Sequence, residues 1–168
     1  MLFISNVQRL KNYWLSHGVT FNTGASKADL AGFEHRFGVS LPYDLRDYFL
    51  TVNGMPEEAT DNEMIRFWML EEVKPLTTGA PSYAKTDYVT DPESLFLFAD
   101  HSLWAHAYAI RLFASAEKDN EIFMIGGDCP IRLFRSFGEL IDSYLTNKDL
   151  MFGPSSLPII IPRTLKQF

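Results

Sequence analysis

The chain has 168 residues, 46% apolar and 14% aromatic, with 21% charged residues and a formal net charge of −6. That length reads as one domain, 1–168, and a chain of this size typically buries about 70% of its unfolded surface, enough for a self-supporting core. Fourteen Phe, seven Tyr and three Trp argue against intrinsic disorder, and apolar runs as short as Leu95–Ala99 fall far below the ~18 residues of a membrane helix.

Ser5 is placed to cap a first helix ending near His17, with Val7, Leu10 and Trp14 at helical spacing and Gly18 as its stop. Ser26 caps a second, Asp29 offering a weaker form of the capping box, with Leu30, Phe33 and Phe37 inward and Gly38 at the C-terminal turn. Pro42 starts a third helix, with Leu45, Phe49 and Val52 inward, and Asn53-Gly54 stops it.

The texture then changes. Residues 55–63 read as a polar loop, Met64–Leu70 as β-like, Glu71–Leu76 as a single helical turn, and 77–94 as a long loop without periodicity. Leu95–Ala99, His106–Leu112 and Ile122–Ile125 read as strands, Pro130–Phe134 as a short fourth. Ser136, with Glu139 completing a capping box, opens a final helix whose inner face is Leu140, Ile141, Tyr144 and Leu145. Prolines 154, 158 and 162 forbid a helix in the tail, so 153–168 is expected to lie extended. Helices first, strands next and one closing helix indicate an α+β fold with a mainly antiparallel sheet.

The acidity is local. Ten acids and three bases lie between Met55 and Asp100, a net −7, while the rest of the chain sums to +1. Such a stretch repels phosphate backbones, so nucleic acid is excluded as a direct partner. Read from composition alone, an ordinary solvated surface takes precedence; the other use is steering a basic protein partner. Met1-Leu2-Phe3-Ile4 lacks the preceding basic residues of a signal peptide, and Cys129 is the sole cysteine. Both features favour a reducing cytoplasm.

The search for chemistry is negative. His101 and His106 are five residues apart, neither a helical i, i+4 pair nor a zinc-finger spacing, so no metal site is read. Cys129 sits in a turn and reads as a small hydrophobe. The sequence contains no G-x-S-x-G, P-loop or G-x-G-x-x-G. Asp100 ends an apolar strand and reads as a turn cap. Trp68, inside MIRFWML, reads as core, whereas Trp104, between two strands, fits either packing or presentation as an interface anchor.

Several segments taken together carry a resemblance. Phe33-Glu34, Phe37-Gly38, Leu41-Pro42, Tyr48-Phe49-Leu50 and Asn53-Gly54, in that order, resemble the N-terminal signature of the SUKH superfamily. That superfamily includes fungal regulators of cell-wall glucan synthesis and many bacterial immunity proteins. Phe96-Leu97-Phe98-Ala99-Asp100, Tyr108-Ala109-Ile110-Arg111-Leu112 and Ser136-Phe137 resemble a bacterial branch of it, so that the similarity spans about 33–152. The turn after Asp100, where many relatives carry glycines, reads His101-Ser102-Leu103-Trp104.

The resemblance implies N-terminal helices and one C-terminal helix packed on a twisted, mainly antiparallel sheet, with no catalytic residues and no cofactor. It implies protein binding, and in bacteria neutralisation of a secreted toxin, often a nuclease, by direct contact. The contact residues are then expected to be Glu57, Glu58, Asp61 and Glu63 of one loop and Asp87, Asp91 and Glu93 of the other, with Asp100 and Trp104 beside them. The alternative is a regulatory scaffold for cytoplasmic partners, and an enzyme with an unrecognised site ranks last.

Overall fold

The computed structural model describes residues 4–81, 89–115, 119–126 and 130–153. Three helices open the chain: α1 (Asn6–Ser16), α2 (Lys27–Phe37) and α3 (Tyr43–Thr51). Each begins where local chemistry satisfies its free N–H groups. Ser5 Oγ accepts from Gln8 N at 3.2 Å. Ser26 and Asp29 form the full reciprocal capping box, stronger than the sequence suggested. The hydrogen bond from Ser26 lowers the Asp29 pKa, as expected for a carboxylate stabilised in its charged form. Gly38, in the left-handed region at φ 63°, ends α2. Pro42 is the residue before α3 and not its first turn, with extended φ −63° and ψ 157°.

Strand β1 (Ile65–Phe67) is shorter than the expected Met64–Leu70, because the chain turns at Met69 into a 3₁₀ turn over Leu70–Glu72. Strand β2 (Lys74–Pro75) and a one-turn helix α4 (Leu76–Gly79) follow. A second 3₁₀ turn, Pro92–Ser94, leads into β3 (Leu95–His101). Both ends of the 77–94 stretch are therefore structured, and the rest of that reading lies partly outside the described residues. Strands β4 (His106–Arg111), β5 (Ile122–Ile125) and β6 (Ile131–Phe134) precede α5 (Phe137–Thr146) and a last 3₁₀ turn over Lys148–Phe152. Ser136 caps α5 as expected, but Glu139 accepts from the Arg135 N–H at 2.9 Å, so the box closes one residue early. The expected extended tail lies outside the described residues apart from Gly153.

The architecture is α+β, with five α-helices and six strands among the described residues. The sheet is antiparallel in the order β1-β3-β4-β5-β6, and β2 pairs with β3 alongside β1. The helical face of the sheet carries the main core, in which Trp14, Tyr48, Phe67, Phe137 and Tyr144 are almost fully buried. Burial of a large apolar side chain contributes about 1.5–3 kcal/mol before entropy is counted. The opposite face holds a smaller cluster of Trp68, Leu76, Leu95, Leu97, Ala107 and Ile125.

A bulge in β3 decides which face receives Asp100. The register with β4 shifts between Leu97 and Ala99, so Phe98 and Ala99 both belong to the main core. An extra residue in one strand reverses the side-chain alternation beyond it. Asp100 is thereby turned to the Trp68 face instead of into the helical core.

Candidate functional site

A surface cleft of about 400 Å³ lies where the end of α2, the 55–63 loop, the Trp68–Lys74 segment and the tip of the β3–β4 hairpin meet. Trp68 and Trp104 are at its base, their ring centroids 5.0 Å apart. Trp68 donates its indole N–H to Asp100 Oδ2 at 2.5 Å, which fixes the ring's tilt from behind. The ammonium of Lys74 lies over the same ring, 5.6 Å from its centroid.

The cleft balances three acids, Glu57, Glu71 and Glu72, against three bases, Arg36, Arg66 and Lys74. Much of this charge is already used internally. Arg66 meets both carboxylate oxygens of Glu72 at 2.7 Å and donates from Nε to the Pro56 carbonyl at 3.1 Å. Glu71 accepts from Asn53 Nδ2 at 3.2 Å. Glu57, exposed at the rim, makes no ion pair with any described residue.

The expected contact residues separate into three groups. Glu57 and Trp104, distant in sequence, share the cleft, and Glu58 is exposed beside Glu57. Asp91 and Glu93 are exposed too, but precede the Leu95 end of β3. The strand's length puts them roughly 20 Å from the end that carries Trp104, so Asp91 and Glu93 do not share a face with Glu57 and Glu58. Asp87 lies outside the described residues.

Two expected contacts need correction. Asp61 is only 5% exposed and Asp100 only 6%, so neither is a surface charge available to a partner. Asp61 accepts from the Tyr144 hydroxyl at 2.6 Å and, through Oδ1, from the N–H groups of Ile65 (2.8 Å) and Glu63 (2.9 Å). A buried carboxylate needs such partners. Lys148 approaches Asp61 at 3.4 Å and pairs with Glu63, which is therefore exposed but not free. Burial works against the charge of Lys148, but the Glu63 hydrogen bond, with Tyr13 and Asp61, outweighs it and raises its pKa. Burial raises the Tyr144 pKa, and the neighbouring Asp61 charge adds to the effect, so the phenol stays a donor.

Trp68 was expected in the core and is there, 3% exposed, yet its edge lines the cleft. Its signal in the sequence was aromatic content alone, which does not separate a buried ring from one that backs a surface. Glu71 and Arg36 also line the cleft and carried no distinguishing pattern.

His101 and His106 face each other across the β3–β4 register, with ring centroids 6.0 Å apart, and both buried Nδ1 atoms lack a hydrogen-bond partner among the described residues. No group of three or more His, Cys, Asp or Glu converges among the described residues. Burial lowers the His106 pKa, and the neighbouring His101 lowers it further. A depressed imidazole favours the neutral form in the fold, so its contribution is present above the ordinary value near 6.5 and is lost as pH falls below it. We expect the native protein to lose more thermal stability between about pH 7 and pH 5 than the His106→Gln variant does. Parallel melting-temperature profiles for the two would refute this.

A cavity of about 490 Å³ lies between α5 and β6. Its charged groups are internally engaged: Arg132 with Glu121, Asp142 with Arg9, and Glu139 with the Arg135 N–H. It offers no convergent catalytic set. Among the described residues, no helix is long and apolar enough to cross a membrane.

No curated protein matches the chain significantly. The model of the SMI1 / KNR4 family (SUKH-1) matches residues 24–143, from the approach to α2 into α5, and therefore takes in the cleft and every acid discussed above. On that match, which covers well over half of the sequence, the chain belongs to the SMI1 / KNR4 (SUKH-1) family.

Proposed function

We propose that this protein is a non-enzymatic binding domain that acts as an immunity protein, neutralising a secreted bacterial toxin by direct contact at the Glu57–Trp104 side of the molecule. The observation that carries the proposal is family membership, since bacterial members of this superfamily resemble immunity proteins. Local physics supports the choice of surface. Glu57 and Glu58 are exposed acids with no ion pair to a described residue. They adjoin a half-buried tryptophan, the type of residue that anchors interfaces. A basic, nucleic-acid-cleaving toxin would be drawn to such a rim and its surface occluded.

The test is quantitative. Affinity capture from the source cells at low and high salt, followed by mass spectrometry, is expected to yield a basic toxin-like domain released in part by salt. Charge reversal at Glu57 and Glu58 is then expected to weaken its affinity by at least about tenfold, or ~1.4 kcal/mol. Most of the loss should appear in the association rate, with a shallower salt dependence. Unchanged affinity and unchanged salt slope would remove this surface from the interface. Capture of several housekeeping proteins instead would favour a regulatory scaffold.

A further inference from the structure

At the end of the sheet beside the cleft, two turns hold apolar side chains out into solvent on left-handed backbone. The β3–β4 hairpin tip has three consecutive non-glycine residues at positive φ, Ser102 at 51°, Leu103 at 53° and Trp104 at 71°. Next to it Met64, at φ 64°, precedes β1. The turns are tied together by the Ser102 N–H, which donates to the Met64 carbonyl at 2.9 Å. Leu103 is 89% exposed and Met64 49%.

Left-handed backbone disfavours residues with a branched or bulky side chain, and glycine or asparagine ordinarily occupies it. A leucine there gains nothing from burial and adds strain. Strain of this kind persists only where the surroundings enforce it, and it clusters at ligand-contacting sites. Here the surroundings do enforce it. Trp104 packs on Trp68, which is bonded to Asp100. The Met64 turn is closed from within, its N–H donating to the Asp61 carbonyl and the flanking N–H groups of Glu63 and Ile65 to the Asp61 carboxylate. The fold thus fixes the backbone that projects Leu103 and Met64 outward, and a preorganised turn loses less entropy on binding than a mobile one.

We infer that Leu103, with Met64 beside it, is the apolar anchor of the interface proposed above. The inference rests on that reading and specifies what the partner presents: a hydrophobic socket bordered by lysine or arginine side chains. The charge of the border follows from the loop that carries Met64. Residues 55–63 hold four acids and no base, against which, among the described residues, only Lys148 is paired.

Two experiments test the anchor. Leu103→Gly should relieve the left-handed strain and leave the melting temperature unchanged or raised by about 2–4 °C. A fall of several degrees would show that Leu103 is structural and overturn the inference. The second experiment places the photo-crosslinker p-benzoyl-phenylalanine at position 103, 57 or 43 of the full chain in its source cells, Tyr43 being an exposed control on α3. The inference expects position 103 to capture a partner peptide that is apolar and flanked by lysine or arginine, with position 43 silent. Crosslinking at 57 but not at 103 would leave the proposed function standing and sink the anchor. Crosslinking of 103 to a second copy of this chain would also overturn it, in favour of self-association. Silence at both 103 and 57 would count against the anchor and the proposed binding surface together.

Discussion

Gly54→Ala is expected to destabilise the fold by more than about 4 kcal/mol, a size reserved for a few kinds of substitution. Gly54 has φ 64°, and a Cβ built there would lie 2.3 Å from both the carbonyl carbon and oxygen of Trp68. The obstacle is backbone, which cannot swing aside like a flexible side chain. The left-handed conformation adds roughly 1 kcal/mol for any residue with a Cβ. What makes the approach so close is the clasp built by its neighbour. Asn53 Oδ1 accepts from Leu70 N at 2.8 Å, its Nδ2 reaches Glu71, and its carbonyl accepts from Asn22 Nδ2 at 3.0 Å. The Asn-Gly pair thereby locks the end of α3 to the segment carrying Trp68 and Glu71, and so sets one wall of the cleft. Thermal unfolding checks this. Asn53→Ala should cost about 1–3 kcal/mol through unpaired buried groups. Gly32→Ala, in α2 with nothing within 4 Å of the new methyl, should stabilise by up to about 1 kcal/mol. A Gly54→Ala protein as stable as the native one would refute the close approach.

The parts of the fold that were legible in the sequence are those written in short-range chemistry. Ser5, Ser26 and Ser136 each accept from an N–H three residues ahead, so a reader needs only four residues to place the helix start. The core strands β3, β4 and β5 were legible because apolar runs bounded by turn residues leave few alternatives. Burial of charge was not. Asp61 and Asp100 sit in an acid-rich stretch that looks like any solvated surface, and what buries them lies far away in sequence. Tyr144 is 83 residues from Asp61, and Trp68 is 32 residues from Asp100. The side to which Asp100 points depends on a one-residue bulge that no local pattern announces. The candidate cleft was half legible for the same reason. Glu57 and Trp104 were identifiable as residue types suited to an interface, but only the pairing of β1 with β3 brings their segments together.

These buried carboxylates change how the acidic stretch is to be used. Of the residues in the proposed contact set, Glu57 and Glu58 would act through their own charge, whereas Asp61 holds the loop that carries them. Charge reversal at an exposed acid should alter association and salt dependence with little effect on stability. Substitution of Asp61 should do the opposite, so the two classes are separable by measuring unfolding and binding on the same variants.

Asp61→Ala is accordingly expected to cost about 3–5 kcal/mol, the range found when one partner of a buried charged network is removed. On a chain of this size that lowers the melting temperature by roughly 2–4 °C per kcal/mol. The substitution strips the acceptor from the Tyr144 hydroxyl and from the N–H groups of Glu63 and Ile65, and removes one of the two carboxylates beside Lys148. It also reaches the helical core, because the Tyr144 oxygen that donates to Asp61 accepts the Trp14 indole N–H at 3.1 Å. Asp61→Asn should cost less. Its carbonyl can still serve the two backbone donors, but its amide cannot accept from Tyr144. Tyr144→Phe removes the middle of the relay and should cost about 1–3 kcal/mol, since Trp14 Nε1 is then buried without an acceptor. Because the two side chains share one hydrogen bond, the double variant should fall short of the sum by about 0.5–3 kcal/mol. Strict additivity, or an Asp61→Ala protein within 1 kcal/mol of native, would mean that the carboxylate is solvated and that the loop shape is held by other contacts.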